Sequence, residues 1–128
     1  MPEVEWSLVC DYCLIDQTGK LSMLGIFERI AAESLPVLHP LLFVVTRWRS
    51  VAQESFVAET RIWTPTEQLL VSTGATQVPA NPGGQNLTIN QFRGLVLERE
   101  GQYLIELLAE GETARYYPLQ VVTVGGQT

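Results

Sequence analysis

Apolar and polar residues alternate with a period of two along most of this chain, and turn-forming residues break the alternation about every 10 to 17 positions. In the first such segment Val4, Trp6, Leu8, Cys10, Tyr12 and Leu14 fall on one face, and Glu5, Ser7 and Asp11 on the other. A strand does this because successive side chains point to opposite sides of the sheet. Asp16-Gln17-Thr18-Gly19-Lys20 then supplies an aspartate to open a turn and a glycine able to take a positive φ. Leu21 to Ile30 reads as the returning strand, so residues 4–30 are expected to form a hairpin. Residues 31–40 contain two prolines and no clear period. They read as a crossover between sheets, with room for one helical turn at Ala31–Ser34.

Leu41 to Arg49 begins almost wholly apolar, as a central strand covered on both faces would. Ser55 to Trp63 alternates again, Thr64-Pro65-Thr66-Glu67 makes a tight turn, and Gln68 to Thr73 gives a short strand. Residues 74–85 hold three glycines and two prolines and are expected to be a surface or binding loop. Asn86 to Glu98 resumes as a strand whose apolar phase shifts from Leu87 and Ile89 to Phe92 and Val96, which predicts a bulge near Gln91. Arg99–Gln102 turns into Tyr103–Ala109, and Glu110-Gly111-Glu112 turns into Thr113–Val124. The last four residues are expected to fray. No stretch keeps an apolar helical stripe free of glycine, proline or β-branched runs. The pattern predicts one all-β domain over residues 1–128, a two-sheet antiparallel β-sandwich of about eight strands. A small closed barrel is the alternative.

Composition narrows function mainly by exclusion. Hydrophobic residues make up 46% of the chain, enough for a core. The longest uncharged apolar stretch, Leu35 to Thr46, is interrupted by Pro36, His39 and Pro40 and falls short of the roughly 20 residues a membrane span needs. The start, Met-Pro-Glu-Val-Glu-Trp, is acidic where a signal peptide would be basic, and the expected location is cytoplasmic. Net charge is −6, and Lys20 is the one lysine. Such a chain does not suit the phosphates of nucleic acids or an anionic membrane.

Candidate chemistry is sparse. Cys10 and Cys13 are spaced like a metal or redox pair, but no second thiol pair accompanies them and His39 is the one histidine. On a strand, residues three apart point to opposite faces, so the expectation is two reduced thiols without metal or mutual disulfide. Asp11 and Asp16 are the only aspartates, the first placed outward on a strand and the second in a turn. Neither suggests a carboxylate pair in a cleft. No nucleophile elbow, dinucleotide fingerprint, P-loop or calcium loop is present. No catalytic residue, metal site or cofactor is expected. Arg47-Trp48-Arg49 places two guanidiniums on one side of a strand and an indole on the other. The plainer account puts Trp48 in the core and pairs the arginines with carboxylates of neighbouring strands, such as Glu59. Trp6 and Trp63 read as core or sheet-packing residues.

The stretch from Leu8 to Ile30, with its Cys-Asp-Tyr-x-Leu-Ile-Asp-x-x-Gly-Lys-Leu-Ser-x-x-Gly-Ile-Phe pattern, resembles the opening hairpin of a small bacterial family of all-β domains of unknown function. Leu38-His39-Pro40 and Arg47-Trp48 fit the same pattern, and the resemblance extends over essentially the whole chain. Cys13 stands where that family would place a small residue such as alanine, which implies packing rather than ligation. The resemblance implies a fold and no activity, cofactor or catalytic residue. The expected function is a non-catalytic binding or assembly module that forms a homodimer or engages another protein. Its possible interaction surface comprises Arg47, Arg49, His39 and Asp16. The alternative is a small enzyme or ligand carrier with a pocket at one end of the sandwich.

Overall fold

The computed structural model describes residues 2–50 and 54–124, and the expected fraying of the last four residues lies outside that range. Ten strands follow one another without a helix among the described residues: β1 Glu3–Ile15, β2 Leu21–Ile26, β3 Arg29–Ala32, β4 Val37–Arg49, β5 Phe56–Trp63, β6 Leu69–Ser72, β7 Thr76–Val78, β8 Gln85–Leu97, β9 Gly101–Ala109 and β10 Glu112–Thr123. They form two open sheets. One has four strands in the order β2-β1-β4-β8, and the other runs β3-β10-β9-β5-β6 with β7 also paired to β5. This is the expected sandwich, and no closed barrel forms.

Two strands were not separated by the sequence pattern. The segment Leu21–Ile30 does not run on as a single strand: β2 ends at Ile26, and Arg29–Ala32 crosses to the other sheet as β3. There it pairs parallel to β10, with Ile30 opposite Val121, so the six-stranded sheet is mixed. Ala31 and Ala32 are therefore extended, and the helical turn expected at Ala31–Ser34 is absent. The crossover shortens accordingly, and β4 begins at Val37 rather than Leu41. The other additional strand, β7, lies inside the expected loop 74–85 and pairs Phe56 with Val78.

The core lies between the sheets. Val9, Leu42, Val44, Trp48, Phe92 and Leu97 meet Phe56, Ile62, Tyr103, Ile105, Leu107 and Val121 there. Burying a large aliphatic or aromatic side chain is worth about 1.5–3 kcal/mol, so a layer of this size supplies most of the driving force for folding. Polar side chains clamp the sheets where the layer is not apolar. The Ser7 hydroxyl lies 2.8 Å from the Tyr117 hydroxyl and 2.9 Å from Thr46 Oγ1. Thr60 donates to Asn90 at 2.7 Å, and the Arg115 guanidinium donates to the Val4 carbonyl at 2.8 Å.

Three changes of side-chain phase decide which residues enter that core. In β1 the pairing to β4 slips by one between Val4 and Trp6, so that Glu5 is the extra residue. A bulge of this kind reverses the faces. Val4 and Val9 point inward while Trp6 and Cys10 point out, which corrects the single apolar face expected for Val4 through Leu14. In β8 the expected bulge near Gln91 is absent, since pairing with β4 runs without slippage from Val37–Leu97 to Arg49–Gln85. The phase changes instead at Gly94, φ 65°, opposite Pro40. Leu95 and Leu97 point inward on one side of it and Phe92 on the other. The third change is at Gly25, φ 67°, opposite Asp11, where an added Cβ would stand 2.3 Å from Asp11 Oδ2.

Candidate interaction face

The outer face of the four-stranded sheet carries a second apolar cluster, separate from the core. Cys10, Cys13, Phe43 and Val45 are buried in it, and Trp6, Leu21, Met23, Leu41 and Leu87 pack around them. The pairing lines these residues up in rows across three strands. Trp6, Arg47 and Leu87 form one row, Leu8, Val45 and Ile89 the next, and Cys10, Phe43 and Gln91 the third. Tyr12 closes one end with its ring edge-on to Phe43, centroids 5.6 Å apart.

The phase change at Asp11 corrects the expectation for the thiols. Cys10 and Cys13 do not face opposite ways; both sit in this one cluster, and both are free. Burial raises the Cys10 thiol to about 11, and it raises the Cys13 thiol as well. Neutral thiols behave there as small apolar side chains.

Arg47 and Arg49 border the cluster at one end. Arg47 Nε lies 3.5 Å from Glu5 Oε1 and its guanidinium donates to Gln85, while Arg49 lies 3.2 Å from Glu3 Oε2 and 4.0 Å from Glu5 Oε2. Trp48 points the other way into the core, with its indole N–H donating to Thr88 at 3.0 Å. The carboxylates that pair with the arginines come from β1; Glu59 pairs instead with Arg61 at 2.7 Å. Trp6 and Trp63 are both partly buried on outer faces.

Asp16 and His39 lie away from this rim. Asp16 opens the β1–β2 turn, its Oδ1 accepting from the Thr18 N–H at 2.8 Å, the Thr18 hydroxyl at 2.6 Å and the Lys20 N–H at 3.0 Å. These donors hold its carboxyl below the ordinary range. His39 is near the start of β4 opposite Leu95 and lines a recess of about 310 Å³ with Asp11, Phe27, Arg29 and Val37. Asp11, expected to be a plain outward residue, therefore shares a site with His39. Nε2 of His39 is buried and makes no hydrogen bond among the described residues. Burial pushes the imidazole below its ordinary value, and the Asp11 charge partly opposes that shift. The four residues singled out in the sequence do not converge: Arg47 and Arg49 share a rim, and His39 and Asp16 stand apart. The sequence marked Leu41 to Arg49 as covered on both faces but did not show which residues of β1 and β8 extend that cover into rows, because alternation alone assigns one face of a strand to the core and cannot say what the other face meets.

The fold resembles part of a solved structure. The alkylpurine DNA glycosylase AlkC of Pseudomonas fluorescens, bound to DNA containing an abasic-site analogue, superposes with a TM-score of 0.56 at 11% identity. That match covers 94% of this chain and 30% of the glycosylase, so this chain spans under a third of that protein. The soluble domain of PmoD from a Methylocystis species matches over 93% of this chain and 96% of its own, with a TM-score of 0.38 at 13% identity. At these identities the likeness concerns the fold alone. No curated protein sequence matches. The model of DUF6941, a family of unknown function, matches residues 5–122, and the chain belongs to that family.

Proposed function

We propose that this domain is a non-catalytic assembly module that pairs with a second copy of itself through the outer face of the four-stranded sheet. The observation that carries the reading is where exposed apolar side chains concentrate. Among the described residues eleven large apolar side chains are exposed. Eight of them, Tyr12, Leu14, Ile15, Leu24, Ile26, Leu38, Ile89 and Val96, belong to the four-stranded sheet. Of these, Ile89 stands in the row of Leu8 and Val45 on the outer face, and apolar side chains beside a charged rim have the anatomy of a protein interface.

Charge favours a second copy as the occupant. The chain as a whole carries −6, yet the rim pairs Arg47 and Arg49 with Glu3 and Glu5. Two copies related by a two-fold axis can bring such rims together without net repulsion, and one patch serves both subunits. The acidic balance and single lysine support a protein partner over a nucleic acid or an anionic membrane. They also fit a cytoplasmic setting. No helix of the described chain is long and apolar enough to cross a membrane.

Sedimentation at micromolar concentration tests the reading. The expected result is a species at twice the 14.3 kDa chain mass, returning to monomer when Ile89→Lys places a charge in the middle row. A wild-type protein that stays at 14.3 kDa across that range excludes the dimer. A second reading, a small-ligand carrier, rests on the buried and unpaired His39 Nε2 in its recess with Asp11 and Arg29. A monomer whose His39 ring resonances shift on addition of a small carboxylate would favour it.

A further inference from the structure

We propose that a groove on the outer face of the opposite, six-stranded sheet is a docking site for a basic side chain, arginine or lysine, presented by a partner polypeptide. The groove is independent of the self-association face and does not require a second copy. It spans three adjacent strands. Trp63 on β5 stands opposite Leu104 on β9, and Tyr116 on β10 stands opposite Glu106, also on β9. Alternate strands lie about 10 Å apart, so the indole and the phenol form two walls with Leu104 and Glu106 as the floor between them. The resulting space is about 500 Å³. Tyr116 is 65% exposed, an unusual setting for a large aromatic ring on a strand.

The polar groups in the groove are fixed and acidic. The Trp63 indole N–H donates to Glu106 Oε1 at 2.8 Å, and the Thr113 hydroxyl donates to Glu106 Oε2. These bonds hold both the ring and the carboxylate in place without supplying a countercharge; the Arg61 guanidinium across the strand pair feels the Glu106 charge only as a secondary influence beside Glu59. Glu67 lines the same groove from the turn that follows β5. Arg61, directly across from Glu106, is engaged by Glu59 at 2.7 Å. Three carboxylates against one guanidinium leave this part of the face with a net charge of −2.

Charge and shape together select the occupant. A cation over the face of a tryptophan or tyrosine is attracted by the ring quadrupole, and a neighbouring carboxylate adds a charge-assisted hydrogen bond. A purely apolar side chain would fit against Leu104 and the rings but would strip water from Glu106 and Glu67 without replacing it. A neutral sugar could stack on the rings, yet it would gain nothing from the surplus charge. The groove is open along its length and cannot enclose a free small cation. A single basic group binds there weakly enough to need a concentrated titrant, and a side chain carried on a polypeptide that makes further contacts binds more tightly. A basic partner surface also complements the chain's charge of −6.

The test is a titration of the isotopically labelled full chain followed by NMR, with N-acetyl-arginine methylamide as probe. N-acetyl-norleucine methylamide and methyl glucoside serve as apolar and sugar controls. The expected result is a saturable shift of the Trp63 indole N–H and of the Tyr116 amide with arginine, weakened by salt and absent with both controls. Glu106→Gln keeps an acceptor for the indole and should weaken binding by about fivefold or more. Glu67→Gln, on an exposed turn where the fold is not at stake, should weaken it in the same direction. Equal shifts with norleucine, shifts with the glucoside alone, or no arginine shift at these residues in a folded protein would each overturn the proposal.

Discussion

Single residues in this protein are tuned chiefly by burial. The Cys10 thiol is held at about 11 against an ordinary 9.0, and the Tyr117 hydroxyl, enclosed between the sheets, at about 12 against 10.0. In both cases the folded state keeps a proton that the unfolded chain gives up, so the unfolded state binds fewer protons and stability falls as pH rises. As pH rises past 9, stability should decline first as Cys10 is affected and decline further through the range of Tyr117. Urea midpoints measured from pH 8 to 11 check this, and Cys10→Ala should flatten the first part of the decline. His39 carries the opposite sign. Its lowered value means the folded state prefers the neutral ring, so its contribution is present above 6.5 and is lost as pH falls below that. Asp11→Asn removes the neighbouring charge that opposes the shift. The His39 titration followed by NMR should therefore move to still lower pH in that variant; a move upward would show that the recess is not arranged as described.

Strands β1, β2, β4 and β8 owe their faces to two left-handed glycines. Gly94 has φ 65° and an added Cβ would meet only Leu38 Cδ1 at 3.9 Å, so the cost of Gly94→Ala is conformational. About 1–2 kcal/mol is expected. Gly25 has φ 67° and lies against Asp11, with 2.3 Å between an added Cβ and Oδ2. Gly25→Ala should cost more than Gly94→Ala, because it adds a steric conflict to the same backbone strain. Adding Asp11→Ala should recover part of the difference. Equal losses at the two glycines, read from denaturation midpoints, would mean that the contact with Asp11 is relieved at no cost. The β1 bulge at Glu5 acts with them, since it turns Trp6 outward beside Arg47.

At the scale of the molecule, the two sheets differ in what they show to solvent. The four-stranded sheet presents apolar rows and two free edges, and its edge strand β8 runs for 13 residues without a lysine or proline. Long unprotected edges invite pairing with another chain, so face and edge point to the same kind of contact. Rim charge gives a test separate from the apolar one. Arg47→Glu faces Glu5 and the same residue of a second copy, and should weaken self-association at least tenfold, most strongly at low salt. Insensitivity of the association to this change would move the interface to the β8 edge. The six-stranded sheet presents the Trp63–Tyr116 groove instead, and Arg47→Glu should leave arginine binding there unchanged.

The alternation of Val57, Glu59, Arg61 and Trp63 with Phe56, Ala58, Thr60 and Ile62 determined β5 as a strand directly, because a period of two suits a half-buried strand, while the packing decided that the second set faces the core. The turns at Asp16–Lys20, Thr64–Glu67 and Glu110–Gly111 were equally legible, since Asx hydrogen bonding, a proline and a positive φ are local properties. The core position of Trp48 and the outward guanidiniums followed from the same parity. What the sequence left open was every feature that depends on a neighbouring strand. The parallel pairing of Arg29–Ala32 with β10, the extra residue at Glu5 and the phase change at Gly94 rather than Gln91 are set by distant partners. Cys10 and Cys13 share a cluster, and Asp11 meets His39, for the same reason. A glycine or an extra residue reverses parity at no visible cost in composition, and only the packed sheets decide which side becomes the core.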